Sequence, residues 1–235
     1  MLINAMIPAR MGSTRLKQKN LALINDKPMI SYVVNSAKES GVFNSIYINS
    51  ESRAFEEVSN RLDISFYHRE EELGSSSAKS DDVVYDFIKA VPGDITVWVN
   101  STSPLQSAQE LRAIVSYFVE HNLDSLITVR DEQVHCDYDN KPLNYLAEGK
   151  FAQTQDLKPV SRFVYSVMMW RNSAFIKEYE EKGSALMCGN FGTYPVSKES
   201  SLIVKTEEDL RLIQYIVFGR EANKGWKLEY DKAAK

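Results

Sequence analysis

Four cations fall within ten residues, at Arg10, Arg15, Lys17 and Lys19, interleaved with Gly12, Ser13 and Thr14. Such a set can hold a triphosphate. Glycine lets the backbone approach closely, amides and hydroxyls donate to phosphate oxygens, and the cations neutralise charge. The preceding stretch carries Leu2, Ile3, Ala5, Met6 and Ile7. It reads as a short strand buried on both faces, as in parallel sheets. Pro8 has no N–H to donate and ends the ladder. A solvated basic turn would share this composition. Its position after a buried N-terminal strand favours the ligand reading, because open α/β sheets bind ligands beyond the carboxyl ends of their strands. The spacing matches neither a Walker loop nor a dinucleotide fingerprint.

The elements that must position this loop alternate along the chain. Met29, Ile30, Tyr32, Val33, Val34 and Ala37 give a helix face between Pro28 and Gly41. Residues 45–49 read as a second strand, Ser50, Glu51 and Ser52 offer a cap, and Phe55, Val58 and Leu62 mark a short helix before a third strand at 64–67. This rhythm is that of an α/β protein with a single doubly wound, mostly parallel sheet, expected to span residues 1–235 as one domain. Residues 68–80 form a polar loop in which His68 is either a base or polar surface. A helix with Val83, Val84, Phe87 and Ile88 follows, with Ser80 or Asp81 as its candidate cap. The fourth strand, 94–99, leads into a second hydroxyl-rich loop, Asn100 to Leu105, again on the ligand side. Ser107 and Glu110 read as a capping box for the next helix. After a fifth strand at 123–129, the apolar faces give way from Arg130 to Thr154 to charges, Asn, Pro142 and Gly149, with scattered aromatics. An arm over roughly 130–170 is expected there. Phe163, Tyr165, Val167 and Met169 still alternate as a strand. A helix within 171–179, a turn into a strand over 187–195, and a closing helix through Leu212, Ile213, Ile216 and Val217 complete the chain.

Composition narrows the function. A net charge of −4 leaves no general footprint for nucleic acid, and the clustered cations suit a small polyanion instead. Cys136 and Cys188 lie far apart, which points to free thiols in a reducing, cytoplasmic setting. No apolar stretch is long enough to span a membrane, and Met1 runs directly into a strand without a signal peptide. His135, Cys136 and Asp137 adjoin one another and cannot readily converge on a zinc ion.

The opening stretch resembles the sugar-acid cytidylyltransferases, the family of the CMP-sialic acid and CMP-Kdo synthetases. Their signature runs roughly I-P-A-R-x-G-S-x-R-x-x-x-K-N, matched here by Ile7, Pro8, Ala9, Arg10, Gly12, Ser13, Arg15, Lys19 and Asn20. The wording from Arg10 to Leu16 is also similar to the spore-coat polysaccharide cytidylyltransferases. Later segments add Arg69, Leu73, Ala78, Ser80, Asp82, Val83 and Val84, then Thr102 to Leu105, then Gln155, Leu157, Pro159, Val160 and Arg162. The resemblance implies a Rossmann-like nucleotidyltransferase fold with a projecting dimerisation arm, and a homodimer. It implies transfer of CMP from CTP to a small sugar acid, with no nucleic-acid or membrane partner. It assigns Arg10 and Lys19 to catalysis, and Ala9, Gly12, Ser13, Arg15, Asn20, Arg69 and Ser80 to the nucleotide. Asn100, Thr102, Gln155 and Arg162 would face the acceptor, with Asn100 standing where the sialate enzymes have glutamine.

Two departures stand out. The family's E-N-G after the last arginine is Phe163-Val164-Tyr165 here, and its two Mg²⁺-binding aspartates fall on Ile203 and Lys205. Neither of those side chains can ligate a hard dication, which takes oxygen ligands. No protein metal ligand is therefore assigned, and Mg²⁺ would enter bound to the CTP phosphates. A homologue that binds nucleotide or sugar without turnover, or a nucleotidyltransferase for another base or acceptor, remains open on the same residues.

Overall fold

The computed structural model describes residues 1–231 and residue 233. Seven strands form the central sheet: β1 (Ile3–Pro8), β2 (Ser45–Ser50), β3 (Ser65–His68), β4 (Ile95–Val99), β5 (Ser125–Glu132), β6 (Val160–Arg171) and β7 (Phe191–Pro195). Their order is β7-β5-β6-β4-β1-β2-β3. Only β6 runs antiparallel to its neighbours. This is the doubly wound, mostly parallel sheet that the alternation of strands and helices predicts.

The helices are α1 (Met29–Ser40), α2 (Ala54–Arg61), α3 (Ser80–Ala90), α4 (Ala108–Glu120), α5 (Asn172–Lys182) and α6 (Glu207–Ala222). On one face of the sheet, Ile30, Val34, Phe55, Ile114 and Phe118 pack against Ala5, Ile7 and Val97. On the other, Val84, Phe87 and Phe175 pack against Met6, Met168 and Trp170. β1 alternates sides, so Ala5 and Ile7 serve one layer and Met6 the other. The chain changes face between β3 and β4, which puts the point of strand-order reversal between β1 and β4. That is where open sheets of this kind part to admit a ligand. α6 closes a third cluster of Ile24, Met29, Leu105, Val204, Ile213 and Val217 beside that edge.

Helix ends follow local chemistry, with two exceptions to the sequence reading. α1 stops at Gly41, whose φ of 66° is the left-handed conformation glycine adopts at a helix end. Ser107 caps α4 by accepting from the Glu110 amide, but the Glu110 carboxylate turns away to Gln106 and the Ser197 amide, so the box is only half made. α3 has Lys79 at its cap with no side-chain bond. Asp81 instead accepts from the Ala185 and Leu186 amides, at 2.6 and 3.1 Å, and so ties two distant segments. The full capping box lies at α6, between Thr206 and Asp209.

The excursion occupies residues 133–159 and includes a short hairpin, Asp137–Tyr138 with Lys141–Pro142. Residues 160–170, which the sequence reading places within its rough arm bounds, belong to the antiparallel strand β6. Among the described residues, no helix is long and apolar enough to cross a membrane. Cys136 and Cys188 are both free thiols.

Candidate functional site

β1 delivers the cation loop to the carboxyl edge of the sheet, and a buried guanidinium fixes where it starts. Arg69, 4% exposed, donates from Nη2 to the Ala9 carbonyl oxygen at 2.8 Å and from Nη1 to the Asn49 carbonyl and side-chain oxygens. Its Nη2 also meets Glu51 Oε2 at 2.9 Å, an ion pair with both side chains largely buried. The other Glu51 oxygen accepts from the Met11 amide at 2.9 Å. One carboxylate therefore holds both the arginine and the first turn of the cation loop. Gly74 makes room for it, since a Cβ there would lie 2.5 Å from Glu51 Cγ and Cδ. Burial pushes the Arg69 pKa down, and Glu51 pushes it back up.

Arg10 donates to the Ser75 carbonyl at 3.0 Å, linking the cation loop to the loop after β3. Gly12 is exposed, and a Cβ there would meet no protein atom. What glycine spares at that point is not a contact within the chain. Ser13 is half-buried and Arg15 is exposed. Asn20 is buried, and its Oδ1 has no hydrogen-bond partner among the described residues. Burial, followed by the charges of Arg15, Arg10 and Lys205, pushes the Lys19 ammonium below the ordinary lysine value, while Asp209 pulls it partly back. Four cations from two distant stretches thus share one local field.

A polyanion reverses that field. Binding of a triphosphate should therefore raise the Lys19 pKa and take up a proton wherever free Lys19 is deprotonated. The expected result is a triphosphate affinity that is flat with pH below the free-site value of Lys19 and falls as pH rises through it. Calorimetric titration across that pH range checks the sign. An affinity that rises over that range contradicts it.

The loop after β4 is bonded to β1 and β6 at once. Ser101 Oγ donates to the Pro8 carbonyl oxygen at 2.6 Å. Asn100 Oδ1 accepts from the Thr102 amide and hydroxyl, and its Nδ2 donates to the Tyr165 carbonyl oxygen at 3.0 Å. The half-buried Thr102 in turn accepts at its carbonyl from the Val204 amide, which brings the segment carrying Ile203 and Lys205 to the same edge. Ser80 is the half-buried first residue of α3.

The structure brings Ala9, Arg10, Gly12, Ser13, Arg15, Lys19, Asn20, Arg69, Asn100, Thr102 and Lys205 to one edge. Gln155 and Arg162 lie apart from this set within the chain. Gln155 is exposed and hydrogen-bonded to Gln153, and Arg162 pairs with Glu132 at 3.3 Å on the stem of the excursion. Val167 is the outermost β6 residue paired with β4, and Arg162 lies five residues further out, up to roughly 17 Å of strand. The sequence reading gives Glu51 only as part of a helix cap and Ser101 only as one hydroxyl of its loop, and assigns neither to the site. The available signal for Glu51 was its place directly after the strand beside β1. His68 is exposed and hydrogen-bonded to the Glu51 carbonyl oxygen.

The segment at Ile203 and Lys205 does not fit a hard dication. The nearby Asp209 Oδ2 already accepts from the Lys205 amide, the Thr206 amide and the Thr206 hydroxyl. Burial alone would raise the Asp209 pKa, but these bonds and the Lys205 charge outweigh it and hold the carboxyl low. Among the described residues, no three His, Cys, Asp or Glu side chains converge as a metal site.

A cation loop at the reversal point of such a sheet is a place for a phosphate-bearing ligand. The cytidylyltransferase family model matches residues 4–214, and the chain belongs to that family. It is 25% identical over 222 residues to the N-acylneuraminate cytidylyltransferase of Streptococcus agalactiae serotype V, covering 90% of this chain and 52% of that protein. The chain thus spans about half the length of the curated relatives it matches first. It is 23% identical over 221 residues to the post-translational flagellin modification protein B of Campylobacter coli, covering 90% of this chain and 93% of that one. Among solved structures, CMP:2-keto-3-deoxy-manno-octonic acid synthetase complexed with CTP superposes with a TM-score of 0.71 at 13% identity, over 94% of this chain and all of that one.

Proposed function

We propose that this chain transfers a cytidylyl group from CTP to a hydroxyl of a small sugar acid. The acceptor oxygen attacks the α-phosphorus, the bond to the bridging oxygen breaks, and pyrophosphate leaves. The observation that carries this reading is the cation loop of Arg10, Arg15 and Lys19 at the carboxyl edge between β1 and β4, where the bond from the Val204 amide to the Thr102 carbonyl also brings the Lys205 segment. Preorganised cations act where phosphate charge moves onto the leaving group. Lys19 and Arg10 stabilise that charge, Ser13 and Arg15 hold the outer phosphates, and Ala9, Gly12 and Asn20 line the path to the nucleoside. Arg69 supports the nucleotide by fixing the Ala9 backbone. Ser80 borders the nucleotide, and Asn100 and Thr102 border the acceptor. Gln155 and Arg162 act from the arm. The exposed Tyr138, Leu146 and Phe151 suit pairing of two chains through their arms, and sedimentation at twice the chain mass would support that homodimer. A cytoplasmic setting follows from the need for CTP. The test is titration with the four ribonucleoside triphosphates, each with and without sugar acids, read as pyrophosphate release. Release with CTP and one acceptor supports the reading. CTP binding without release favours a non-catalytic homologue, the reading that Ile203 and Lys205 lend weight to.

Lys205 is assigned the place of a fixed cation in this scheme. Lys205→Met should weaken CTP binding roughly tenfold, the scale of one charge-assisted contact. Lys205→Asp should weaken it further in chelator and make it respond to Mg²⁺. If both variants bind CTP as the unaltered chain does, Lys205 has no part in the site.

A further inference from the structure

We infer that Phe163 and Tyr165 form an aromatic shelf that seats the C–H face of the acceptor sugar ring and sets acceptor specificity. The inference rests on the transferase reading above. Phe163 and Tyr165 are both exposed toward the outer end of β6, while Val164 between them is buried. Their rings stack with centroids 5.7 Å apart at 21°. They are 37% and 46% exposed, an apolar surface left uncovered.

The backbone beneath the shelf is unusual. Tyr165 has a φ of 59°, a left-handed conformation that is costly for a residue with an aromatic side chain. It lies where the pairing of β6 with β5 shifts register, between Phe163 and Met168. Glycine would adopt this conformation freely. The half-exposed tyrosine ring gains little burial in exchange. Strain of this kind persists where surrounding structure enforces it and clusters at ligand sites. The enforcing bonds come from the loop after β4: Asn100 donates from its amide to Ser166 and from its side chain to Tyr165. The next residue, Ser101, holds the end of β1. β6 lies two strand spacings from β1, about 10 Å between strand axes, and Tyr165 is two residues beyond the last pair of β6 with β4. In the proposed reaction a sugar acid joined to the α-phosphorus extends from β1 toward β6. Aromatic faces present their negative π surface to C–H groups and exclude water from them, so the apolar face of a pyranose fits better than an anionic group.

Tyr165→Gly separates this role from a structural one, because it removes the ring and keeps the left-handed backbone. The variant should melt at or above the unaltered chain and retain its KM for CTP. Its KM for N-acetylneuraminate should rise about tenfold or more, and Tyr165→Phe should restore it. Saturation-transfer NMR with N-acetylneuraminate and with 3-deoxy-manno-octulosonate, in the presence of CTP, reads the same contact without turnover. Signal for one sugar in the unaltered chain that is lost in Tyr165→Gly supports the shelf. Retained acceptor binding in Tyr165→Gly overturns it and leaves the transferase reading intact. Retained acceptor binding with loss of a dimer identifies the pair as a contact between copies and likewise overturns it. No binding of either sugar by the unaltered chain overturns both readings.

Discussion

Lys19→Met should lower pyrophosphate release from CTP by roughly 10²–10³-fold, the usual loss when one preorganised donor to developing charge is removed. The expectation follows from the placement of Lys19 rather than from its charge alone. It is half-buried, and burial followed by the charges of Arg15, Arg10 and Lys205 lowers its pKa with Asp209 offsetting only part, so its ammonium sits in a field that a bound polyanion would relieve. The same field makes the lysine a burden on the free chain. Removing it relieves repulsion among cations, so the variant should melt no lower than the unaltered protein. A fall in turnover with unchanged melting is the combined result to look for in paired rate and thermal measurements. Turnover within threefold of the unaltered chain would remove Lys19 from the chemistry.

Breaking the pair between Arg69 and Glu51 should have the largest effect on stability. Both side chains are largely buried at 2.9 Å. Removing one partner leaves a buried, uncompensated charge, a loss of about 3–5 kcal/mol. In a chain of this size that lowers the melting temperature by roughly 6–20 °C. Glu51→Ala is expected at the upper end, because it also releases the Met11 amide. Replacing both residues by methionine should recover part of the stability, since no lone charge then remains inside. It should not recover activity, because the Ala9 carbonyl and the Met11 amide lose their anchors and the cation loop loses its starting point. Denaturant melts of the two single variants and the double variant give the coupling directly. Additive losses would mean that the two side chains act independently.

The fold was legible because its signals are local and repeated. Most strands of the sheet carry an apolar run, and α1, α3 and α4 each carry a face at helical spacing, so the doubly wound, mostly parallel class follows from pattern, while the strand order does not. The cation loop was legible for the same reason, being contiguous. The end of the arm was not. Phe163 and Tyr165 alternate as a strand, yet the register shift after Phe163 depends on bonds to Asn100, which is distant in sequence. Arg69 illustrates a second limit. Its match to a family motif marks it for the nucleotide, but its hydrogen bonds to Ala9, Asn49 and Glu51 are invisible until three separate strand ends are brought together. Glu51 read as a helix cap, since Ser-Glu-Ser before a short helix suits that role. Only the structure shows its carboxylate turned toward Met11 and Arg69 instead.

The central claim is tested most directly by phosphorus NMR of the purified protein with CTP and a panel of eight- and nine-carbon sugar acids. The account expects equal growth of an inorganic pyrophosphate signal and a CMP phosphodiester signal with one acceptor, and neither signal without acceptor. CTP bound by the protein but unchanged with every acceptor, or CTP hydrolysed to CMP with no diester, would contradict it.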